Sequence, residues 1–400
     1  MDAKINFTSE EISRLGEIAK KADKQMPENF FRSFDREHPV LLAGAGYYGI
    51  WQEHNQDAYF IADKYPETAW ESQKIFMDFQ MANGAMPSCV RFEPLYPSFG
   101  QLQIVWPFAR CAFEIAKKIG RPEEDIARIY DAAGRFDKWL VKFRDRSGKG
   151  LVEMYCEYDT GHDRSPRVKD GGLEGRCPGI YSANMPALDC MPICAADLSA
   201  TRYGALVALG EMAELLDKPA EQAYWNGEAA ALRERIHTEL FDPEDEFFYD
   251  ITPSGFRKYR TEHITRLFLN RVVDQELFDK IYDRYFTNEN EFFTAMPFPS
   301  ISVSDPAFVK DFPPNCWGCN TQTLTLIRLL LWMDYYGRSA ELEEIMRRYL
   351  KTYLYNGNDF TQELNPFTGN PTREGGNYSP ALIFFRAAYD RLISADGSGK

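Results

Sequence analysis

Apolar residues recur at intervals of three or four along most of this chain, and this spacing limits what it can fold into. After Pro219, one such stripe is formed by Trp225, Ala229, Leu232, Ile236 and Leu240. A stripe of this kind is typical of an amphipathic helix with one buried side. Similar patterns predict helices at 102–119, 122–144, 195–216, 219–240, 275–286, 321–336, 340–355 and 379–393, and two more beginning near Thr8 and Pro66. With short helices included, we expect about a dozen.

Capping signals mark the start of the first helix. Thr8 and Glu11 have the spacing of a capping box, and Phe7 and Ile12 are placed to pack as a hydrophobic staple. The residues predicted on the buried face of this helix are Ile12, Leu15, Ile18 and Ala19.

Strand signals are few. The best is "EFFYDITPSGFRKY", where "TPSG" predicts the turn of a short hairpin between Phe247 and Tyr259. The pattern as a whole therefore predicts an all-α protein with one small β-hairpin.

Long loops rich in aromatic residues, Gly and Pro separate the helices, at 41–56, 83–101, 147–194, 292–320 and 356–378. Loops of this length in a compact helical chain are usually functional. Because no linker or break in composition interrupts the chain, we expect one domain over residues 1–400. An (α/α)6 barrel, with helices in an inner and an outer ring, would bring the loops to one mouth. Helical arrays and bundles fit the periodicity as well.

The acidic balance of the chain bears on its partners. Its 46 basic and 60 acidic residues give a formal net charge of −14, and the isoelectric point is near 5.0. Such a charge repels phosphate backbones and anionic lipid, so we expect neither nucleic acid nor a membrane as partner. The N-terminal residues lack the pattern of a signal peptide, and no stretch reaches the ~18–20 apolar residues of a membrane span. We therefore expect a cytoplasmic protein.

Eight cysteines raise the question of a metal site or disulfides. Cys316 and Cys319 have C-x-x-C spacing, and Cys190 with Cys194 forms a looser pair, so four thiolates are available for zinc. The second spacing is C-x3-C, no strand-rich knuckle surrounds either pair, and no H-E-x-x-H motif occurs. We therefore predict reduced, packed thiols, with no metal and no cofactor.

Two carboxylates stand out by their context. Asp163 lies in the polar turn "CEYDTGHDRSPR", and Glu363 lies in the irregular segment "DFTQELNPFTGNP". On these residues alone, an Asp163 paired with Arg164 or Arg167 and an exposed loop Glu363 explain the pattern at least as well as catalysis. A high aromatic content, with 22 Tyr, 29 Phe and 7 Trp, is compatible with a carbohydrate site as well as with a core.

Several loop segments match, in order, the motifs of one enzyme clan. "NQDAYFIA" is similar to W-D-S-Y-F, "GAMPSCVRF" to G-x-I-P-x-x-x-R, "DTGHDRSPR" to E-S-G-W-D-x-S-x-R, and "FTQELNPFTGNP" to F-x-E-x-Y-x-P-x-T-G. The segments "ADLSA", "DPEDEFFYD" and "MPFPSISVSDPAF" match further motifs. Together they resemble the inverting glycosidases on (α/α)6 barrels that include trehalases and processing α-glucosidases, glycoside hydrolase families 37 and 63.

This resemblance implies roles for individual residues. It places the general acid at Asp163 and the general base at Glu363, with an inverting mechanism. It assigns contacts with sugar hydroxyls to Asp57, Arg91 and Arg167, and stacking faces are offered by Trp51, Trp106 and Trp317. The acid must be protonated near neutral pH, which requires burial or a second carboxylate such as Asp159, and Arg167 should then point at the sugar.

The chain also departs from the family's pattern at positions expected to line the sugar site. Gln56 and His162 each stand where the family has Trp, Pro380 stands near the place of its last Trp, and "NCWGCNTQT" replaces W-R-G-P-x-W. The comparison therefore implies the fold and mechanism more firmly than the sugar.

The substrate class follows from the same resemblance. The short, single-domain members that it suggests act on glucosyl- or mannosyl-glycerate. We expect a small carbohydrate substrate: an α-linked glucoside or related glycoside, as a disaccharide, short oligosaccharide or glycosyl-glycerate. Two other readings stay open. A sugar epimerase or isomerase uses paired histidines on the same barrel, and an inactive sugar-binding protein needs no acid and base.

Overall fold

The computed structural model describes residues 7–33, 35–92, 95–168, 184–185, 188–373 and 375–394. Within these residues there are twelve α-helices: α1 (Ser9–Gln25), α2 (Asn55–Ile61), α3 (Pro66–Asp78), α4 (Phe108–Lys118), α5 (Glu123–Phe143), α6 (Ala196–Leu215), α7 (Pro219–Arg235), α8 (Thr265–Leu269), α9 (Gln275–Ile281), α10 (Thr323–Leu329), α11 (Ser339–Tyr355) and α12 (Ser379–Tyr389). π-Helical turns follow α7, α9 and α12 at Ile236–Leu240, Tyr282–Phe286 and Asp390–Ser394.

The strands are short and lie in the loops. They are β1 (Phe30–Phe31), β2 (Val40–Leu41), β3 (Gly49–Trp51), β4 (Cys89–Phe92), β5 (Leu95–Ser98), β6 (Glu153–Met154), β7 (Ile193–Cys194), β8 (Phe241–Asp242), β9 (Phe247–Phe248), β10 (Asp250–Thr252), β11 (Gly255–Arg257), β12 (Thr321–Gln322) and β13 (Glu363–Leu364). Short 3-10 helices that bear on the site lie at Gln52–His54, Glu157–Asp159, Pro166–Val168 and Glu262–Ile264.

The chain divides into two units, which we name by their position in the sequence. The terminal unit comprises Met1–Phe31, Leu42–Tyr47 and Tyr282–Lys400, and the central unit comprises Arg32–Leu41 and Tyr48–Ile281. The expectation of one catalytic domain over residues 1–400 stays a prediction.

The central unit is built around α6. This helix packs against α4, α5, α7 and α8, and its buried residues, such as Leu198, Leu206 and Leu209, lie on all sides of it. A helix that is apolar all round is a core helix. Beside it, a small sheet has the strand order β11-β10-β7-β6, so the loop that follows β6 begins against this core.

The terminal unit is held by packing among α1, α10, α11 and α12. Aromatic rings dominate the contact between α11 and α12: Tyr349 lies 4.9 Å from Phe384 and Tyr353 lies 4.6 Å from Phe385, measured between ring centroids. The β12–β13 pair belongs to the same unit, and its antiparallel register places Gln322 opposite Glu363.

Several local expectations are confirmed. The capping box of α1 is formed, with the Thr8 backbone N–H 2.6 Å from Glu11 Oε2 and the Glu11 N–H 3.2 Å from Thr8 Oγ1. The predicted hairpin is β10–β11, in which Thr252 pairs with Gly255 across a two-residue turn. Pro66 occupies the first turn of α3, where its missing N–H is tolerated.

Three helix expectations need correction. On the predicted buried face of α1, Leu15 and Ala19 are buried as expected and Ala22 is buried with them, but Ile12 is 40% exposed and Ile18 is half-buried. The helix expected over 321–336 is only α10, which ends at Leu329, and Thr321–Gln322 form β12. The helix expected from 102 begins only at Phe108, because Pro107 disfavours helical geometry in the residue before it.

The cysteine expectation fails at one position. Cys156 is disulfide-bonded, whereas Cys89, Cys111, Cys190, Cys194, Cys316 and Cys319 are free. In the parts of the chain that the structure describes, no group of three or more His, Cys, Asp or Glu is arranged to hold a metal ion. Among the same residues, no helix combines the length and apolar character needed to cross a membrane.

Candidate active site

Asp163 lies on a tight turn, residues 160–165, which we call the acid turn. The His162 N–H donates to the Glu157 carbonyl oxygen at 3.0 Å, and the Ser165 N–H donates to the His162 carbonyl oxygen at 3.1 Å. The Glu157 carboxylate accepts a hydrogen bond from the Arg164 N–H at 2.6 Å. This contact helps to hold the backbone of Arg164 at its positive φ of 59°. Backbone contacts thus fix the turn on both sides of Asp163, whose side chain is half-buried.

Gly161 is needed in the acid turn for two reasons. Its φ is +69°, a conformation that residues with a side chain rarely adopt. A Cβ at this position would also lie 1.8 Å from Oε2 of Glu53. The turn is therefore closed against a buried carboxylate that follows β3 in the 3-10 helix Gln52–His54.

Asp159 does not have the role expected for it. The sequence suggested Asp159 as a like charge that keeps Asp163 protonated, but its Oδ2 accepts from Arg144 Nη1 at 2.7 Å and from the Tyr155 N–H at 2.8 Å. Its Oδ1 accepts from the Leu102 N–H at 2.9 Å. Because the Arg144 charge balances it, Asp159 is a buried structural carboxylate.

The acidic side chains around the turn are instead Glu53 and Glu157. Burial raises the pKa of the neighbouring Tyr158 phenol, and the charges of Glu157 and Asp163 raise it further.

Arg167 is buried, with 1% of its surface exposed. Its Nη1 and Nη2 donate to Asp197 at 3.0 and 2.7 Å, and its Nε and Nη2 donate to Asp250 at 2.6 and 2.8 Å. A fifth contact joins Nη1 to His162 Nδ1 at 3.2 Å. A guanidinium group has five N–H donors, so all of them are engaged.

The three charged residues Arg167, Asp197 and Asp250 form what we call the Arg167 cluster. Burial alone would raise the pKa of both carboxyls, but the charge and hydrogen bonds of Arg167 lower the pKa of each below its usual range. Both acids are therefore ionised, and the cluster joins the segment after the acid turn to α6 and β10.

Trp51 and Arg91 lie together on the β3–β4–β5 sheet. The register pairs Trp51 with Cys89 and Gly49 with Arg91, which places the two side chains on one face. The Arg91 guanidinium carbon lies 5.9 Å from the Trp51 ring and 5.8 Å from the Tyr96 ring. Arg91 is exposed, so this aromatic and cationic surface is accessible.

Asp57 and Trp106 lie in the same unit and are buried. Asp57 stands in the first turn of α2, and Gln56 Nε2 donates to its Oδ1 at 3.2 Å. Trp106 packs edge-on against Tyr59 of the same helix, with ring centroids 5.3 Å apart. The exposed fractions are 1% for Asp57 and 7% for Trp106.

Glu363 is the fully buried acid of β13, with 0% of its surface exposed. Its Oε1 accepts from the Asn315 N–H at 2.6 Å, and its Oε2 accepts from Gln322 Nε2 at 2.9 Å. An ionised carboxylate is suited to two such donors because it can only accept. Glu363 is therefore not the exposed loop acid that its sequence context allowed.

Trp317 lies in the terminal unit, between Cys316 and Cys319, and is 2% exposed. The two thiols interact with each other, and this hydrogen bond, burial and the charge of Glu363 raise the pKa of Cys319 well above its usual value. They pack with Ile301 and Phe308. Neutral, packed thiols agree with the expectation for this pair.

The structure divides the predicted site residues between the two units. The central unit contains Trp51, Asp57, Arg91, Trp106, Asp163 and Arg167, and the terminal unit contains Trp317 and Glu363. Among the residues of the central unit, the Arg91 guanidinium group lies against the Trp51 ring. Each of these site assignments stays a prediction.

Sequence reasoning missed the residues that bind Glu363 and Arg167. Asn315 and Gln322 bind Glu363, while Asp197 and Asp250 bind Arg167. A signal for the last two was present, because "ADLSA" and "DPEDEFFYD" each place an Asp at the edge of an apolar run. Asn315 and Gln322 both lie in "NCWGCNTQT", the segment that replaces the family's W-R-G-P-x-W, but nothing in that segment identifies them as partners of Glu363.

Comparison with known proteins defines the class of enzyme. The family model described as the mannosylglycerate hydrolase MGH1-like glycoside hydrolase domain matches residues 51–379. Because this match spans most of the chain, the protein belongs to that family and is a glycoside hydrolase of the GH63 type. The sequence-based assignment to the trehalase and processing α-glucosidase clan is confirmed.

Solved structures give the fold. A GH63 mannosylglycerate hydrolase from Thermus thermophilus in complex with glucose is 18% identical and has a TM-score of 0.71, covering 92% of this chain and 100% of that one. The neutral trehalase of Saccharomyces cerevisiae is 15% identical, with a TM-score of 0.69, covering 94% of this chain and 82% of that one. These likenesses confirm the predicted (α/α)6-barrel fold class.

One curated relative matches part of the chain. It is an uncharacterised protein of Borreliella burgdorferi, 23% identical over 209 residues, which are 50% of this chain and 42% of that protein. The chain thus spans less than half of that relative's length.

Proposed function

We propose that this protein is an inverting exo-glycosidase that hydrolyses a small α-linked glucoside or related glycoside. Asp163 is the general acid and Glu363 the general base. The main support for this proposal is the environment of Glu363. This residue is fully buried and accepts a hydrogen bond on each of its carboxylate oxygens. A fixed, acceptor-only carboxylate is what activation of a water molecule requires.

The proposed reaction consists of two proton transfers and one substitution. Asp163 gives its proton to the glycosidic oxygen as the bond from that oxygen to the anomeric carbon breaks. A water molecule attacks the anomeric carbon from the opposite face and loses a proton to Glu363. The products are the free sugar, with inverted configuration, and the protonated leaving group.

The environment of Asp163 supports its assignment as the acid. The carboxyl is half-buried on a turn whose backbone is fixed, and two further carboxylates, Glu53 and Glu157, contact the same turn. Nearby negative charge favours the protonated form of an acid. Arg167 opposes this effect little, because its charge is balanced by Asp197 and Asp250.

The contacts of Arg167 bear on its own role. All five of its donors are engaged inside the protein. We therefore propose that Arg167 stabilises the acid turn, in place of the sugar contact expected from the sequence. Sugar binding then falls to Asp57 and Arg91, with Trp51, Trp106 and Trp317 as stacking candidates.

The choice of substrate rests on the names of similar proteins. The matched family and one solved structure are named for mannosylglycerate hydrolysis, and another structure is a trehalase. We therefore propose a glycosyl-glycerate, disaccharide or short oligosaccharide as substrate. A cytoplasmic location is part of the same proposal and fits small, internal metabolites.

A substrate screen tests the function directly. Purified protein is incubated with α-linked disaccharides and with glucosyl- and mannosyl-glycerate, and the products are separated by anion-exchange chromatography. A free monosaccharide supports a hydrolase, whereas an isomer of a free sugar supports an epimerase or isomerase. Ligand binding without either product supports a binding protein and contradicts the proposal.

A further inference from the structure

His162, the residue before the candidate acid, points into the protein. It is 2% exposed, and its Nε2 lies 2.8 Å from Glu262 Oε1 while its Nδ1 lies 3.2 Å from Arg167 Nη1. Burial and the charges of Arg266 and Arg167 lower the pKa of His162 to about 3. The ring is therefore neutral at any pH near neutrality and has one N–H.

Buried charged groups contact both nitrogens of the ring. Nε2 lies 2.8 Å from Glu262 Oε1 and 2.7 Å from Arg266 Nη2, and Nδ1 lies 3.2 Å from Arg167 Nη1. The ring is therefore enclosed by one carboxylate and two guanidinium groups.

The three partners of the ring are themselves fixed, and Arg266 Nη1 donates to Asp197 Oδ2 at 2.9 Å. Arg167 is bound to Asp197 of α6 and Asp250 of β10. Glu262 accepts from Thr265 Oγ1 at 3.1 Å. The imidazole is therefore held from two directions by buried groups on separate segments of the central unit.

We propose that His162 is a positioning residue for Asp163, a role that rests on the proposed function. The His162 side chain fixes the inner side of the acid turn, and the next side chain along the backbone is the half-buried carboxylate of Asp163. The Glu157–His162 and His162–Ser165 backbone hydrogen bonds transmit this restraint to the peptide group between His162 and Asp163. Because a misplacement of about 1 Å can reduce a rate about 10²-fold, the restraint affects proton transfer.

The role assigned to His162 is distinct from catalysis and from general stability. A neutral ring enclosed by Glu262, Arg167 and Arg266 neither touches the sugar nor exchanges a proton with it. If the ring only stabilised the fold, its loss would reduce activity on all substrates alike, through the folded fraction. If it positions the acid, its loss affects the substrates that need a proton on the leaving group.

The test compares His162→Phe with wild-type protein on two glycosides of the same sugar. One has an alkyl leaving group, which needs protonation, and the other has a nitrophenyl leaving group, which does not. We expect kcat for the alkyl glycoside to fall at least about 10-fold, with KM changed less than about 3-fold, and kcat for the nitrophenyl glycoside to fall much less. His162→Gln, which keeps one donor and one acceptor, should recover part of the loss.

The matched control is His237→Phe. His237 is a half-buried histidine of the same unit, and its Nε2 lies 3.0 Å from the Val272 carbonyl oxygen. The control should leave the ratio of the two kcat values unchanged. Equal losses on both glycosides in His162→Phe, or no loss in a fully folded variant, would overturn the proposal. If His162→Phe does not fold, Glu262→Gln removes the ring's acceptor charge and should give the same selective loss.

A second readout needs no activity. Hydrogen exchange measured by mass spectrometry should become faster at residues 160–165 in His162→Gln and unchanged there in His237→Phe. Unchanged exchange in the turn contradicts the positioning role. Faster exchange in a protein whose wild-type form hydrolyses no glycoside would contradict the proposed function but support the restraint itself.

Discussion

Gln322 and Glu363 face each other in register across the β12–β13 pair, and the Gln322 amide donates to Glu363 Oε2 at 2.9 Å. The second oxygen is bound by the Asn315 N–H. The candidate base is therefore fixed by one donor on a paired strand and one on a loop, both within the terminal unit.

Removing the Gln322 donor should weaken the base without removing it. We expect Gln322→Leu to lower kcat about 10-fold and to destabilise the protein by about 1–3 kcal/mol, because Glu363 Oε2 loses its buried partner. Steady-state kinetics and urea unfolding measure the two effects. Wild-type kcat in the folded variant would show that this hydrogen bond does not affect the reaction.

Neutralising the two proposed catalytic acids should abolish most activity. Asp163→Asn and Glu363→Gln should each fold and lose at least about 10²-fold in kcat. An activated leaving group should restore part of the activity of Asp163→Asn but none of that of Glu363→Gln. Asp131→Asn, at an exposed position of α5, is the control and should retain wild-type kcat. Near-wild-type turnover in either catalytic variant would remove that residue from the mechanism.

Gly161 and Gly148 form a matched pair for testing the acid turn. Both have φ near +69°, but a Cβ at Gly148 meets nothing within 4 Å, whereas one at Gly161 would overlap the Glu53 carboxylate. Both Gly→Ala changes should destabilise through backbone strain, by about 1 kcal/mol. Gly161→Ala should lower the free energy of unfolding by about 1–3 kcal/mol more than Gly148→Ala does, and it should also reduce kcat. Equal free energies of unfolding for the two variants would show that Glu53 moves aside without penalty.

Two buried histidines should make stability fall in mild acid. Burial is the main cause that lowers the pKa of His162 to about 3 and of His263 to about 4, from 6.5. Below pH 6.5 the unfolded chain binds protons at these histidines that the folded protein does not bind. Each histidine's contribution to the free energy of unfolding is therefore complete above pH 6.5 and is lost as the pH falls toward the pKa of the folded state.

Urea unfolding between pH 8 and pH 4 measures this dependence. Each histidine should contribute a slope of up to about 1.4 kcal/mol per pH unit below pH 6.5. The double variant His162→Gln, His263→Gln should be less stable at pH 8 but should have a shallower slope. The same slope in both proteins would contradict a buried neutral state for these rings.

The stereochemistry of the product tests the pairing of Asp163 with Glu363. An inverting enzyme acting on an α-linked substrate releases the β-anomer first. Proton NMR in the opening minutes, before mutarotation mixes the anomers, detects this directly. If the α-anomer appears first, Glu363 either is a nucleophile or does not act with Asp163, and both assignments fail.

The sequence was most informative where structure depends on near neighbours. The capping box at Thr8, Pro66 at the start of α3 and the β10–β11 turn each involve residues within a few positions of one another. Their side chains and backbone preferences suffice to predict them. The clan of enzymes was also recognisable, because several short motifs occur in the same order.

The sequence was least informative where charges pair across long separations. Arg167 meets Asp197 and Asp250, which lie 30 and 83 residues away, and no local preference reports such a partner. The charge of Asp159 likewise pairs with Arg144, 15 residues away, and its other oxygen binds the backbone N–H of Leu102, 57 residues away. As a result, Arg167, expected to point at the sugar, and Asp159, expected to keep Asp163 protonated, are both engaged inside the protein.

The Arg167 cluster also limits how this family member can diverge. Lys has three donors on a tetrahedral nitrogen, so it cannot reproduce five N–H contacts to two carboxylates and an imidazole. Loss of either Asp leaves a buried cation partly unpaired, at a penalty of about 3–5 kcal/mol. Asp197 also binds the buried Arg266, at 2.9 Å. In related sequences, Arg167, Arg266, Asp197 and Asp250 should therefore be replaced together or not at all, whereas the exposed Arg91 can vary alone as substrates change.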